Sequence, residues 1–358
     1  MRRAGCRRQA GRHPHRGSRA AGRGRPVTVR VGLIGARRAH EGTGPFVAAH
    51  LARAEAQVTA VATSGARSAL VAANDLAGQG VACEPWPTAE RLLAEAAIDA
   101  VAICSPLDTH LPYLRLALER GLHVLCEKPL SSWHAPEDLE QVESLIAAYA
   151  KRELTVHVNT QWPYTLEDFR HLHELDRLPK VRELRMELAP SRPGARMLPE
   201  ALPHVISMLT ATCPAVTTVA QVTYERVGDA LTIGFVASGT GASTDAGPVD
   251  VTCELRPRPR QPRPAAFEIN GMRAERVVDM ANGYQMSFRS HGGRRQIADP
   301  LGASVDDFLA KIAGKSPNGY QTIILNESLG GQIVGSLPQE LTGSDRSDKE
   351  KERAQDRT

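Results

Sequence analysis

The chain has 358 residues, room for two domains, and its 42% hydrophobic and 23% charged content is that of an ordinary globular protein. No apolar run approaches the roughly 20 residues that span a bilayer, so no membrane partner is expected. The formal charge of +4 originates in residues 1–26, which hold nine arginines and no acid; the remainder is mildly acidic, which argues against a nucleic-acid partner.

Three readings fit residues 1–26: a disordered anion-touching tail, a targeting peptide without an apolar face, or an over-extended start of the reading frame. The charged end, 341–358, is also expected to be disordered. Aromatics are only 4%, so Ala, Leu, Val and Ile must build the core. Cys6, Cys83, Cys104, Cys126, Cys213 and Cys253 form no CxxC and no Cys/His ligand spacing, so no metal is expected. Free thiols of this kind suit the cytoplasm.

From 28 to 159, short β-branched runs alternate with helical stretches. Strands are expected at 29–34, 58–62, 100–104, 122–125 and 154–158. Helices are expected from Pro45, and at 66–76, 111–120 and 136–151. Such alternation implies βαβ units and a parallel sheet with right-handed crossovers. From about 181 to 288 strand candidates follow one another without helices between them, and Asn270 with Gly271 reads as a hairpin turn. Helices near 305–312 and 321–334 close the chain.

The expected fold is therefore an α/β Rossmann-type parallel-sheet domain at 27–150, followed by an α+β domain at 151–340 with a large, mainly antiparallel open sheet. Alternation in 216–227 and 231–237 offers an apolar sheet face, from which a homodimer or homotetramer is expected.

A dinucleotide site needs a strand, a tight glycine turn and a helix whose free N–H groups face the pyrophosphate. Gly35, Ala36, Arg37, Arg38, Gly42 and Gly44 lie directly after the first strand, with Pro45 suited to a first helical turn. Arg37 and His40 stand where a GxGxxG pattern has glycines, so the loop reads as a lengthened phosphate loop or as a plain strand–helix connection. At the end of the second strand, where NAD sites usually place an acid, stand Ser64 and Arg67. Hydroxyls and a guanidinium suit a 2′-phosphate, hence NADP with NAD as the alternative. The competing reading makes Ser64 a helix cap and Arg67 a surface charge.

Ser105, Pro106, Thr109 and His110 end one strand, and Gly121, His123, Glu127, Lys128, Pro129 and Leu130 follow. That combination resembles the glucose–fructose oxidoreductase/inositol dehydrogenase family. The resemblance covers the whole first domain and, more loosely, the β-rich half. It implies that Ser105, Pro106, His110, Glu127 and Lys128 border the cofactor and that Lys128 polarises a substrate oxygen. Glu200, His204 and Ser207 match the family's acid–histidine–aspartate element, with Ser207 in place of the last aspartate. His204 then stands as the acid/base. Gln161, two residues beyond Asn159, replaces a usual arginine. Trp162, Tyr164 and Arg192 are further substrate-side candidates, each equally open to ordinary packing or surface placement. The implied activity is hydride transfer between a nicotinamide and a secondary alcohol/ketone of a sugar, cyclitol or related small molecule. The alternative is a catalytically silent dinucleotide-binding regulator or scaffold, since the family includes the galactose-regulon repressor and fold does not guarantee chemistry.

Overall fold

The computed structural model describes residues 28–36, 42–194, 196–239, 247–281 and 284–342. The first half alternates as expected: β1 (Arg30–Ile34), α1 (Gly44–Arg53), β2 (Gln57–Ala62), α2 (Ala66–Gly78), β3 (Glu84–Trp86), α3 (Ala89–Glu95), β4 (Ala100–Ile103), α4 (His110–Arg120), β5 (His123–Cys126), α5 (Pro136–Lys151) and β6 (Val156–Val158). The strands form one sheet, ordered β3-β2-β1-β4-β5-β6, and every pairing is parallel. The order reverses between β1 and β4, which opens a ligand crevice beyond their carboxyl ends. β1 and β4 are almost entirely buried, as strands covered on both faces must be.

β6 joins this sheet although it lies past residue 150. β3 and α3 have no counterpart among the expected elements. β3 is a three-residue edge strand containing Pro85, too short and too irregular for periodicity to reveal.

The second half contains α6 (Leu166–Leu172), β7 (Glu183–Leu188), α7 (Met197–Thr212), β8 (Thr218–Val227), β9 (Ala230–Ser238), β10 (Val249–Leu255), β11 (Ala265–Ile269), β12 (Met272–Asp279), β13 (Gln285–Ser290), β14 (Gly293–Ile297), α8 (Pro300–Ile312), α9 (Tyr320–Val334) and α10 (Gln339–Thr342). Its eight-stranded sheet runs β14-β13-β12-β11-β7-β10-β9-β8, antiparallel except for β7 with β10. Asn270 and Gly271 both have positive φ, 50° and 81°, the conformation of a type I′ hairpin turn. The expected fold class thus holds in both halves.

The apolar face of β9, Leu231, Ile233, Phe235 and Ala237, is buried in the core with α7 and α9. It is not the open face that the alternation suggested. The opposite face carries ion pairs: Arg185 with Glu254, Arg273 with Glu187 at 2.7 Å, and Arg289 with Glu275 at 2.8 Å.

The last helices tie the halves together. Leu301, Val305 and Phe308 of α8 pack into the core beside α1, and α9 buries Leu329 and Ile333 in the second core. Residues 1–27 and 343–358, which include nearly all of both expected tails, lie outside the described residues. Residues 341 and 342 close α10.

Candidate active site

The glycine turn after β1 is built for close approach. Gly35 has φ +90°, and a Cβ there would lie 2.4 Å from the Cys104 carbonyl oxygen. A Cβ on Gly44 would lie 2.2 Å from the Gly35 carbonyl oxygen. Only a residue without a side chain fits at either point, so the loop folds back with its start against the helix it feeds. Ala36 is buried and Gly42 half-buried; Arg37 and Arg38 lie outside the described residues.

Thr43 does not cap α1 with its side chain. Its hydroxyl instead donates to Glu127 Oε1 at 2.7 Å. Pro45 has no N–H, and those of Phe46 and Val47 bond the Thr43 carbonyl at 2.9 and 3.0 Å, so the Gly44 N–H is the first-turn donor that faces an anion at the crevice. A pyrophosphate fits this cradle.

Gly65, not Ser64, is the N-cap of α2. Ser64 and Arg67 are exposed at the end of β2, and among the described residues Arg67 makes no ion pair. Ser105 and Pro106 follow β4 at the same edge. The Ser105 hydroxyl bonds Thr109 Oγ1 at 2.6 Å, and Thr109 in turn donates to the Pro106 carbonyl.

His110 is buried, with Nδ1 2.7 Å from Pro129 O and Nε2 2.9 Å from Ser105 O. Both ring nitrogens are occupied by main chain. Its place is therefore to bind the loop after β4 to the loop after β5, rather than to reach a ligand.

β5 delivers Glu127 and Lys128 to a cleft of about 430 Å³. Asn159 Nδ2, just after β6, donates to Glu127 Oε1 at 2.6 Å, and Ser304 Oγ donates to Asn159 Oδ1 at 2.9 Å. Since the Ser304 proton is committed, His157 Nε2, 2.9 Å away, must donate to Ser304. His157 Nδ1 then accepts from Lys311 Nζ at 3.0 Å. Burial, helped by Lys311, pushes His157 down to about 3, so the neutral ring this pattern requires is the stable one. The row fixes Glu127 from behind. It cannot carry a proton to Glu127, because the Asn159 amide does not relay one.

Lys128 Nζ donates to the Glu200 main-chain oxygen in the first turn of α7, at 2.6 Å. Burial lowers its pKa, partly offset by Glu127 and Glu200. Glu200 accepts from Ser191 N at 2.9 Å, Ser191 Oγ at 2.8 Å and Arg263 Nη1 at 2.6 Å. One turn on, His204 also lines the cleft, and its Nδ1 is buried without a partner. Burial, then the charges of Lys128 and Arg276, hold it well below its ordinary value. Ser207 Oγ donates to the His204 main-chain oxygen at 3.0 Å and offers the ring nothing.

Trp162 is buried at the cleft wall, edge-on to His204 at 6.5 Å. Tyr164 is not at this cleft: its hydroxyl donates to Asp307 at 2.8 Å and borders a separate cavity of about 200 Å³. Arg192 is exposed and does not line the cleft either. Ser191, its neighbour, takes the inward position on Glu200.

Sequence reasoning missed Thr43, Arg263, Arg276 and Glu327. Glu327 of α9 is buried and accepts from Leu130 N at 2.9 Å, Ser131 N at 3.2 Å, Ser131 Oγ at 2.8 Å and Trp133 Nε1 at 2.8 Å. It fixes the loop that follows Lys128. Arg276 had a readable signal: it shares the inner face of β12 with Ala274 and Val278, a charge in an apolar alternation.

Residues 29–160 match the family described as "Oxidoreductase family, NAD-binding Rossmann fold". Over this segment, which is the parallel-sheet half, the chain is similar to that oxidoreductase family. The motifs around Ser105 and Lys128, which resemble the glucose–fructose oxidoreductase/inositol dehydrogenase family, lie within the matched segment. A stretch of 127 residues is 32% identical to UDP-N-acetylglucosamine 3-dehydrogenase of Acidithiobacillus ferrooxidans, covering 33% of this chain and 36% of that protein. Over 81 residues the chain is 41% identical to D-xylose 1-dehydrogenase (NADP(+)) 2 of Haloferax volcanii, covering 21% and 25%. These matches thus span about a third or less of the relatives' lengths. A 3-ketoreductase from Actinomadura kijaniata, solved with TDP-benzene and NADP, shares the fold with a TM-score of 0.61 at 20% identity, over 86% of this chain and 97% of that one. Among the described residues, no helix is long and apolar enough to cross a membrane, and no group of three or more His, Cys, Asp or Glu could hold a metal ion.

Proposed function

We propose that the chain is an NADP-preferring oxidoreductase acting on a secondary alcohol/ketone of a sugar, cyclitol or related polar small molecule. The observation that carries this reading is the meeting of Lys128, Glu127 and His204 in one cleft beside the glycine turn. The bound nicotinamide supplies or accepts the hydride.

The protein's own residues do the rest. The Gly35 and Gly44 turn and the start of α1 hold the pyrophosphate, with Ser64 and Arg67 at the 2′-phosphate. Lys128 offers a fixed positive charge to the substrate oxygen, where alkoxide character develops as hydride leaves. His204, neutral at physiological pH, is in the form that accepts the hydroxyl proton. Trp162 and Arg276 close the wall beside it. Support for NADP comes from Arg67, from the NADP named in the xylose dehydrogenase, and from the NADP complex of the ketoreductase.

A catalytically silent dinucleotide-binding protein is the second reading, favoured by Ser207, which leaves His204 without a carboxylate. Purified protein, titrated with NADP(H) and NAD(H) and then screened against polyols and keto sugars, separates the two. Turnover establishes the enzyme; cofactor binding without turnover across the screen favours the silent protein.

We further infer a nucleotide-binding domain at 27–150, a substrate and assembly domain at 151–340, a cytoplasmic location, and a homodimer or homotetramer formed through the ion-paired face of the large sheet. Light scattering that finds a monomer at micromolar concentration contradicts the assembly.

A further inference from the structure

The inner face of the large sheet carries one row of residues across six strands that is apolar but for a single position. Leu231, Leu255, Leu188, Ala265, Arg276 and Phe288 are successive register partners on β9, β10, β7, β11, β12 and β13. Five of them are buried hydrophobic residues. The sixth is an arginine.

Arg276 is poorly solvated and poorly paired. Its Nε is shut off from solvent and has no hydrogen-bond partner. Its described hydrogen bond runs from Nη2 to the Arg263 main-chain oxygen at 2.9 Å. Its guanidinium carbon lies 5.7 Å from the centre of the Trp162 ring, which holds the group in place without neutralising it. Among the described residues no carboxylate forms an ion pair with it, and the charge of Asp299 offsets its burial only in part. The two acids of the cleft are engaged elsewhere: Glu127 by Thr43 and Asn159, Glu200 by Ser191 and Arg263. A charge in such surroundings is costly unless an opposite charge meets it there.

Arg276 also lines the cleft together with Lys128 and His204. We propose that the substrate of this cleft carries a carboxylate, held by Arg276 while the carbon undergoing reaction faces Lys128: a sugar acid or carboxylated cyclitol rather than a neutral polyol. Guanidinium recognises a planar carboxylate by paired N–H donors. The described lining residues favour a single negative charge, since Lys128, Arg263 and Arg276 stand against Glu127 and Glu200. A carboxylate in the cleft offsets the burial that lowers the Arg276 pKa. This inference rests on the oxidoreductase reading of the same cleft and names the class of its substrate.

The test is equilibrium binding of D-glucuronate, D-galacturonate, D-gluconate, D-glucose and glucose 6-phosphate to the full chain, with and without NADP(H), alongside turnover of each. At least one acid is expected to bind ten-fold or more tightly than glucose. Arg276→Met is expected to erase that preference, so that the folded variant binds the acids no more tightly than glucose. Arg276→Gln serves the same purpose should the methionine variant fail to fold. Equal binding of acids and glucose by the wild type, retention of the acid preference by the folded variant, or preferential binding of glucose 6-phosphate each overturns the proposal. Arg276-dependent binding of an acid with no oxidation of any compound leaves this site standing and removes the oxidoreductase reading. Oxidation of neutral sugars with no acid preference does the reverse.

Discussion

Lys128 Nζ of the parallel-sheet half donates to the main-chain oxygen of Glu200 in the other half, at 2.6 Å. The bond spans the crevice at the end of β5 and places the ammonium one helical turn from His204. It also makes the cation a shared feature of both halves, so its position depends on how the first turn of α7 is held. Glu200 secures that turn through Ser191 and Arg263.

The cofactor preference is testable at Arg67. Arg67→Ala is expected to weaken NADP(H) by about 1.5–3 kcal/mol, the worth of a charge-assisted contact, and NAD(H) far less. Equal losses for the two cofactors in a fluorescence titration would remove Arg67 from the 2′-phosphate.

Glu327 holds the loop after Lys128 through three main-chain or indole N–H donors and one hydroxyl. Glu327→Ala strands those buried donors, each at about 1–3 kcal/mol. Denaturant unfolding should show a loss of at least about 3 kcal/mol, and Glu327→Gln a smaller one. A variant as stable as the wild type would mean that water or a rearranged loop satisfies the donors.

Acid should destabilise the fold through its buried histidines. His157, at about 3, and His204, well below its ordinary value, stay neutral in the folded state where unfolded histidine takes a proton near pH 6.5. Between those values the unfolded chain binds more protons, so stability is full above about pH 6.5 and falls as pH drops below it. Each such group contributes a slope of up to about 1.4 kcal/mol per pH unit. His157→Gln, which keeps a donor toward Ser304, should flatten the fall between pH 6 and 4. An unchanged slope in the variant would show that His157 protonates in the folded protein.

The strand–helix alternation of the first half was readable because both faces of its sheet are covered, which forces apolar runs at β1 and β4. The Asn270 turn was readable because few residues tolerate positive φ at both central positions. α7 was hidden: Pro199 and Pro203 interrupt what reads as a helix, yet the helix runs from Met197 to Thr212 with Pro203 inside it. The motif residues Glu127, Lys128 and His204 do share a cleft, whereas Tyr164 and Arg192 do not line it. Thr43, Ser304 and Glu327 were out of reach of pattern reading. Their roles arise from contacts over 84, 145 and nearly 200 residues, which only the fold brings together.

The most direct test of the account is turnover by Lys128→Met beside its cofactor affinity. With a substrate from the screen, kcat should fall on the order of 100- to 1000-fold, the usual cost of removing a preorganised charge at a developing oxyanion. NADP(H) binding should stay nearly unchanged, because the glycine turn and α1 hold the nucleotide. Full activity in the folded Lys128→Met protein would contradict the account.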